Sequence, residues 1–180
     1  PAVLAVDVAV YRALNVQPHI AAGHSLGEYA ALVAANALDL PDAINLVRKR
    51  AQAMQEAVPV GTGGMVVLRK ASLEDAKEIA GASTRGILEV ANLNCPGQYV
   101  LSGEMAAIDE VVEKLGRRAL KLPVSVPFHC SLLAKAAQCF AQTLEKTNFK
   151  NPQFPVICNA TAQPVNTAAE VQAGLTRQFD

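Results

Sequence analysis

The stretch Ala22-Gly23-His24-Ser25-Leu26-Gly27-Glu28-Tyr29 sets the tightest limits on how this chain can fold. A short apolar run, His19 to Ala22, leads into it, and an alanine-rich helical run, Leu26 to Leu38, leads out. The pattern predicts a strand, a tight turn and a helix. Gly23 and Gly27 stand two residues either side of Ser25, the G-x-S-x-G spacing of a nucleophile elbow. A serine held at such a strained turn brings the flanking backbone together, so crowding is expected at both glycines. The turn would place the Ser25 hydroxyl at a helix N-terminus, where free N–H groups and the positive dipole end can stabilise an oxyanion. The N–H of Leu26 is the natural first donor. A plain glycine-serine turn is the bland reading of the same residues, so the surroundings decide.

Composition narrows the function classes. A chain of 180 residues, 51% hydrophobic, suits one domain with room for a small insert. Lys plus Arg balance Asp plus Glu at 16 each, which gives no global charge for nucleic acid or a membrane surface. Cys95, Cys130, Cys139 and Cys158 show no C-x-x-C spacing, so reduced thiols and a cytoplasmic location are expected. Three histidines, one of them beside the serine, give a metal site little to build on, and none is expected. Pro1 to Leu14 has no basic leader and is too short to span a bilayer; it reads as a buried helix opened by proline. There is no initiator Met, and Glu170 to Asp180 stops inside a helical pattern, so sequence is expected to be missing at both ends.

Further along, a helix is predicted from about Ala43 to Ala57, closed by Pro59 and the Gly61-Thr62-Gly63-Gly64 loop. Its apolar stripe reads Ala43, Leu46, Val47, Met54, Ala57 and Val58, and Arg50 occupies the missing core-side position. A buried guanidinium needs a carboxylate, which could be supplied by the protein or by a substrate anion. From Gly64 the pattern becomes strand, helix, strand, strand, helix, strand: Gly64 to Leu68, a helix over Ser72 to Ala82 capped by Ser72, Ile87 to Asn94, Gln98 to Leu101, a helix over Ala106 to Leu115, and Arg118 to Leu122. That order is the ferredoxin-like motif. It places a small subdomain at residues 63–121, inserted into a larger one made of 1–62 and 122–180.

A serine nucleophile needs a base within hydrogen-bond reach. His24 adjoins Ser25 and diverges from it at a strand end, and His19 lies about 20 Å upstream at roughly 3.3 Å per residue. His129 is left by elimination, in the proline-bracketed loop Pro123-Val124-Ser125-Val126-Pro127-Phe128-His129 before a helix over Leu132 to Leu144. No Asp or Glu occurs between Glu113 and Glu145, so either a distant acid or a backbone carbonyl orients its ring; dyad and triad both stay open.

Together, Gly23-His24-Ser25-Leu26-Gly27-Glu28-Tyr29, the helix from Arg50 to Val58, Asn92-Leu93-Asn94-Cys95-Pro96-Gly97-Gln98 and Val126-Pro127-Phe128-His129 resemble the malonyl-CoA:acyl carrier protein transacylases of fatty acid synthesis. The resemblance implies an α/β fold with an α/β-hydrolase-like large subdomain and an inserted ferredoxin-like small one. It implies that Ser25 is acylated, His129 is its base, and Arg50 grips the malonyl carboxylate. Asn92 and Asn94 would lie near the substrate cleft, with Phe128 crowding the pocket, and Gln178 would supply the carbonyl that orients the histidine. Malonyl-CoA and an acidic acyl carrier protein are the implied partners, with no metal or redox cofactor, and the enzyme would act as a monomer. Arg117, Arg118, Lys121 and Lys135 are candidates for a carrier-protein patch. Cys95 stands where serine is usual, and the family's N-terminal G-Q-G-S-Q loop, which gives a second oxyanion donor, is absent. Two alternatives are a serine thioesterase or hydrolase, and an inactive acyltransferase-like binding module of a larger synthase.

Overall fold

A computed structural model describes residues 1–179. In chain order the elements are α1 (Ala2–Leu14), α2 (Leu26–Ala34), α3 (Leu40–Glu56), β1 (Gly63–Ala71), α4 (Leu73–Gly81), β2 (Leu88–Cys95), β3 (Gly97–Glu104), α5 (Met105–Leu115), β4 (Ala119–Lys121), α6 (Ala134–Glu145), β5 (Val156–Ile157), β6 (Pro164–Val165) and α7 (Ala168–Arg177). The chain is mixed α/β, as the pattern of periods predicts. It divides into two compact units, one of Pro1–Ala53 with Gln138–Gln178, the other of Met54–Ala137 with Phe179.

In the first unit α1 packs on α2, and α2 packs against β5. The chain entering the serine turn forms one parallel rung, Ala21 with Val156. Its bonds run from Ala21 N–H to the Pro155 carbonyl at 3.0 Å and from Ile157 N–H to the Ala21 carbonyl at 2.9 Å. The strand expected over His19 to Ala22 is therefore a single rung, because only Ala21 meets a partner backbone. β5 turns back antiparallel onto β6 through Val156 opposite Val165. Thr167 opens α7 with a reciprocal capping box, its side chain on the Glu170 N–H and the Glu170 carboxylate on the Thr167 N–H.

α1 corrects the expectation of a buried helix. Leu4 and Val8, one turn apart, are buried, while Val3, Val6, Val10 and Leu14 each keep more than half of their surface exposed. The helix rests on its neighbour along one stripe, and its remaining apolar faces are largely exposed among the described residues.

The second unit holds a four-stranded sheet in the order β2-β3-β1-β4, with every neighbouring pair antiparallel. α4 connects β1 to β2, and α5 connects β3 to β4. Both helices share one apolar core with the sheet: Ala76 from α4, Ala107, Ile108 and Val111 from α5, and Val66, Leu68, Leu88 and Leu101 from the strands. Ser72 caps α4 as expected, accepting from the Asp75 N–H at 3.0 Å while the Asp75 carboxylate accepts from the Ser72 N–H at 2.8 Å. In this unit expected and observed element ends differ by at most three residues, and no helix or strand changes type.

Leu101 is fully buried in β3, the strand flanked by β1 and β2. Leu101→Ala is expected to lower unfolding free energy by about 2–5 kcal/mol, read from denaturant midpoints at unchanged slope. A loss below about 0.5 kcal/mol would contradict the packing described.

Candidate active site

The turn after Ala21 places Ser25 at the N-cap of α2 with φ 53 and ψ −105, a conformation that non-glycine residues reach only under constraint. Gly23 is where crowding is real: a Cβ there would lie 2.1 Å from the carbonyl carbon and oxygen of Gly27. At Gly27 a Cβ would meet nothing within 4 Å, so the crowding expected at both glycines is one-sided. The chain folds down over Gly23, while Gly27 already belongs to the first turn of α2 and points its missing side chain into open space. Leu26 is the first residue of that helix, so its N–H is among the donors with no intrahelical partner.

α3 carries Arg50 inward on the stripe read from the sequence. Ala43, Leu46, Val47 and Met54 are buried with it, while Arg48 and Lys49 are exposed. One Arg50 Nη2 donates to Ser25 Oγ at 2.9 Å and to Gln178 Oε1 at 3.1 Å. The guanidinium lies 5.8 Å from the centre of the Tyr29 ring, within cation–π range. Its Nε is buried with no hydrogen-bond partner, and among the described residues no carboxylate forms an ion pair with it.

Gln178, at the end of α7, connects Arg50 to a second buried charge. Its Nε2 donates to the Ser25 carbonyl at 3.0 Å and to Glu28 Oε2 at 2.5 Å. Glu28 also accepts from the Asn159 N–H at 3.1 Å. Asn159 in turn brackets the serine: its Oδ1 accepts from the Ser25 N–H at 2.6 Å, and its Nδ2 donates to the Gly23 carbonyl at 2.7 Å. Burial raises the Glu28 carboxyl above its usual range, against the Asn159 and Gln178 hydrogen bonds and the Arg50 charge, which lower it. Burial likewise lowers the Arg50 guanidinium, with Tyr29 and Glu28 acting the other way. The Tyr29 hydroxyl is raised, again mainly by burial.

His129, Phe128, Asn92 and Asn94 belong to the other unit. The loop that bears His129 is tied down locally. Leu122 N–H donates to the Met65 carbonyl at 2.9 Å, and Pro127 packs so closely on Gly63 that a Cβ there would lie 2.5 Å from its ring. His129 itself has φ 58, and just beyond it Ser131 donates through N–H and Oγ to the two carboxylate oxygens of Glu89, at 2.8 and 2.6 Å. Phe128 and His129 are half-buried. Asn92 lies on β2 opposite Val100, and Asn94 Nδ2 donates to Gln98 Oε1 at 3.4 Å across the hairpin.

The structure thus brings Ser25, Leu26, Arg50 and Gln178 together in one unit. It adds Glu28 and Asn159, which the sequence reading did not single out. Glu28 offered a signal, an acid on the core side of an apolar helix; Asn159, in a short loop 134 residues from Ser25, offered none. Cys130 and Cys158 are buried, with Cys130 Sγ 3.2 Å from the Pro127 carbonyl, while Cys95 and Cys139 are exposed. Among the described residues no cluster of His, Cys, Asp and Glu could hold a metal, and no helix is long and apolar enough to cross a membrane.

The two glycines of the turn should respond oppositely to a methyl group. Gly23→Ala is expected to cost about 2 kcal/mol or more, because backbone has to move, whereas Gly27→Ala is expected to stabilise by up to about 1 kcal/mol. Equilibrium unfolding of both variants checks this, and the reverse order would contradict the geometry.

Comparison with known proteins gives the family of the chain. The model of the family described as "Acyl transferase domain" matches residues 1–178. The malonyl CoA-acyl carrier protein transacylase of Staphylococcus aureus (strain COL) is 40% identical over 186 residues, covering 99% of this chain and 60% of that protein. The solved malonyl CoA-acyl carrier protein transacylase from Coxiella burnetii superposes with a TM-score of 0.93 at 41% identity, over 99% of this chain and 60% of the other. A malonyl-transacylase solved in complex with its type II PKS acyl-carrier protein gives a TM-score of 0.93 at 40% identity, over 99% of this chain and 61% of that one. The chain spans about 60% of the length of these relatives. With the family match reaching from the first residue through Gln178, the chain belongs to the acyl transferase domain family.

Proposed function

We propose that this chain carries the chemistry of a malonyl-CoA:acyl carrier protein transacylase. It takes malonyl from malonyl-CoA onto Ser25 and passes it to the phosphopantetheine thiol of an acyl carrier protein, in fatty acid biosynthesis. The observation that carries this reading is Arg50, a buried guanidinium with no paired carboxylate among the described residues and an Nη2 2.9 Å from Ser25 Oγ. A hydrolase has no use for a cation there; an acyl group ending in a carboxylate has one. The named activity of the relatives adds support, and so does the carrier-protein complex of one of them.

In this reading His129 takes the Ser25 proton as Oγ attacks the thioester carbonyl, and the oxyanion develops against the Leu26 N–H. Collapse of the tetrahedral intermediate breaks the C–S bond, and His129 returns the proton to the departing thiolate. The carrier-protein thiol then gives its proton to His129 and attacks the malonyl-serine ester; the C–Oγ bond breaks and Oγ takes the proton back from His129, which regenerates Ser25 with ping-pong kinetics. Arg50 turns from the hydroxyl to the malonyl carboxylate. Asn92, Asn94 and Phe128 contribute to the substrate cleft, and the Gln178 carbonyl orients His129 while its side chain holds Arg50. The acyl-serine route itself calls on no metal or redox cofactor.

The finer fold follows the same reading, with an α/β-hydrolase-like large subdomain (1–62 and 122–180) and a ferredoxin-like small one (63–121). The β2-β3-β1-β4 order with its two connecting helices supports the second, and the serine turn between the Ala21 rung and α2 supports the first. The enzyme works as a cytoplasmic monomer. Arg117, Arg118, Lys121 and Lys135 form its carrier-protein patch, although Lys121 already shares its charge with Asp109 at 2.7 Å.

Intact mass after brief exposure to malonyl-CoA is expected to show one malonyl adduct on the parent and none on Ser25→Ala. A folded parent with no adduct and no thioester turnover would overturn the proposal. Arg50 sets selectivity: an unpaired buried charge costs about 3–5 kcal/mol, so acetyl-CoA should be disfavoured by roughly two to three and a half powers of ten. Arg50→Ala should lose that preference in kcat/KM, and retention of full discrimination would remove Arg50 from the substrate site.

A further inference from the structure

Ser25 holds a backbone conformation, φ 53 and ψ −105, that the local sequence does not favour, so neighbouring groups have to hold it there. The polar backbone atoms of the turn show which groups do so. The Gly23 carbonyl and the Ser25 N–H, either side of His24, are both taken by the Asn159 amide, at 2.7 and 2.6 Å. The Ser25 carbonyl is taken by Gln178 Nε2 at 3.0 Å. Both clamps are fixed on one buried oxygen, Glu28 Oε2, which accepts from the Asn159 N–H and from Gln178 Nε2. Glu28 stands three residues after Ser25 in the first turn of α2, so the anchor and the serine it steadies share one helix end.

We infer that Asn159 is a positioning residue for the nucleophile: its amide closes the turn across Gly23 and Ser25 and so aims the Ser25 hydroxyl. The inference rests on the acyl-serine reading above. Asn159 is exposed, so its side chain fills no core and its removal leaves no cavity. Its two short hydrogen bonds reach the strained backbone at Ser25, and it arrives there just beyond β5, which pairs with Ala21 four residues before the serine. Without the clamp the Gly23–Ser25 backbone can relax toward an ordinary conformation. Oγ then swings away from the line of attack and from the Leu26 N–H.

The test is the rate constant for acylation of Ser25 by malonyl-CoA, measured by rapid quench and intact mass over a range of concentrations. It uses the fullest polypeptide that carries this sequence. Asn159→Ala is expected to slow acylation about ten- to a hundredfold, with half-saturating malonyl-CoA unchanged within about twofold, as misalignment of a reacting atom does. Asn159→Asp matches the parent side chain in size and keeps the acceptor for the Ser25 N–H but loses the donor to the Gly23 carbonyl. It is expected to slow acylation too, and it decides the matter if the alanine variant does not fold. Folded variants that acylate at the parent rate, or that lose rate only through a higher half-saturating concentration, would overturn the inference and leave the transacylase reading intact. A folded parent that takes up no malonyl group would fail that reading, and the inference with it.

Discussion

Two opposite charges buried in one unit, Glu28 on α2 and Arg50 on α3, are bridged by the side-chain amide of Gln178, which also holds the Ser25 carbonyl of the turn. Burying either charge is expensive, and a direct ion pair would be the simplest way to recover the cost. Here Gln178 accepts from Arg50 with its oxygen and donates to Glu28 with its nitrogen, so each charge is hydrogen-bonded while the guanidinium keeps free donor capacity beside Ser25. The same carboxylate holds the Asn159 backbone. One residue, Glu28, thereby ties together the Ser25 turn, Arg50 through Gln178, and the Asn159 loop.

The second unit solves a different problem with more local means. Its sheet sets the β2–β3 hairpin beside β1, which also pairs with β4, and its helices return over a single apolar face. The sheet and its connections also provide the base of the loop bearing His129, through the Leu122 bond to β1 and the close contact of Pro127 with Gly63. Glu89 of β2 secures the residue after next, Ser131, with two hydrogen bonds. A histidine at φ 58 is thus bracketed on both sides by ties to the sheet.

What could be read from residue order follows from range. The serine turn, the inward position of Arg50, the Ser72 cap and the strand-helix-strand succession are all encoded within a few residues, by glycine spacing, a 3.6-residue stripe or a capping box. The Asn159 clamp and the Gln178 bridge join residues more than a hundred positions apart, and no local pattern announces them. Two local inferences failed for tertiary reasons. Gly27 was expected to be crowded, yet only the Gly23 side of the turn is overlaid by backbone. α1 is apolar enough to be buried all round, but its packing uses only the stripe of Leu4 and Val8.

In the proposed function Arg50 is held ready for a substrate carboxylate, with Gln178 and Glu28 keeping it beside the serine. The most direct measurement is a crystal structure of the polypeptide trapped as its malonyl-serine ester. The account predicts that the guanidinium leaves the serine oxygen for the malonyl carboxylate in a bidentate pair while its bond to Gln178 persists. A malonyl carboxylate lying elsewhere, with Arg50 unmoved on the serine oxygen, would contradict it.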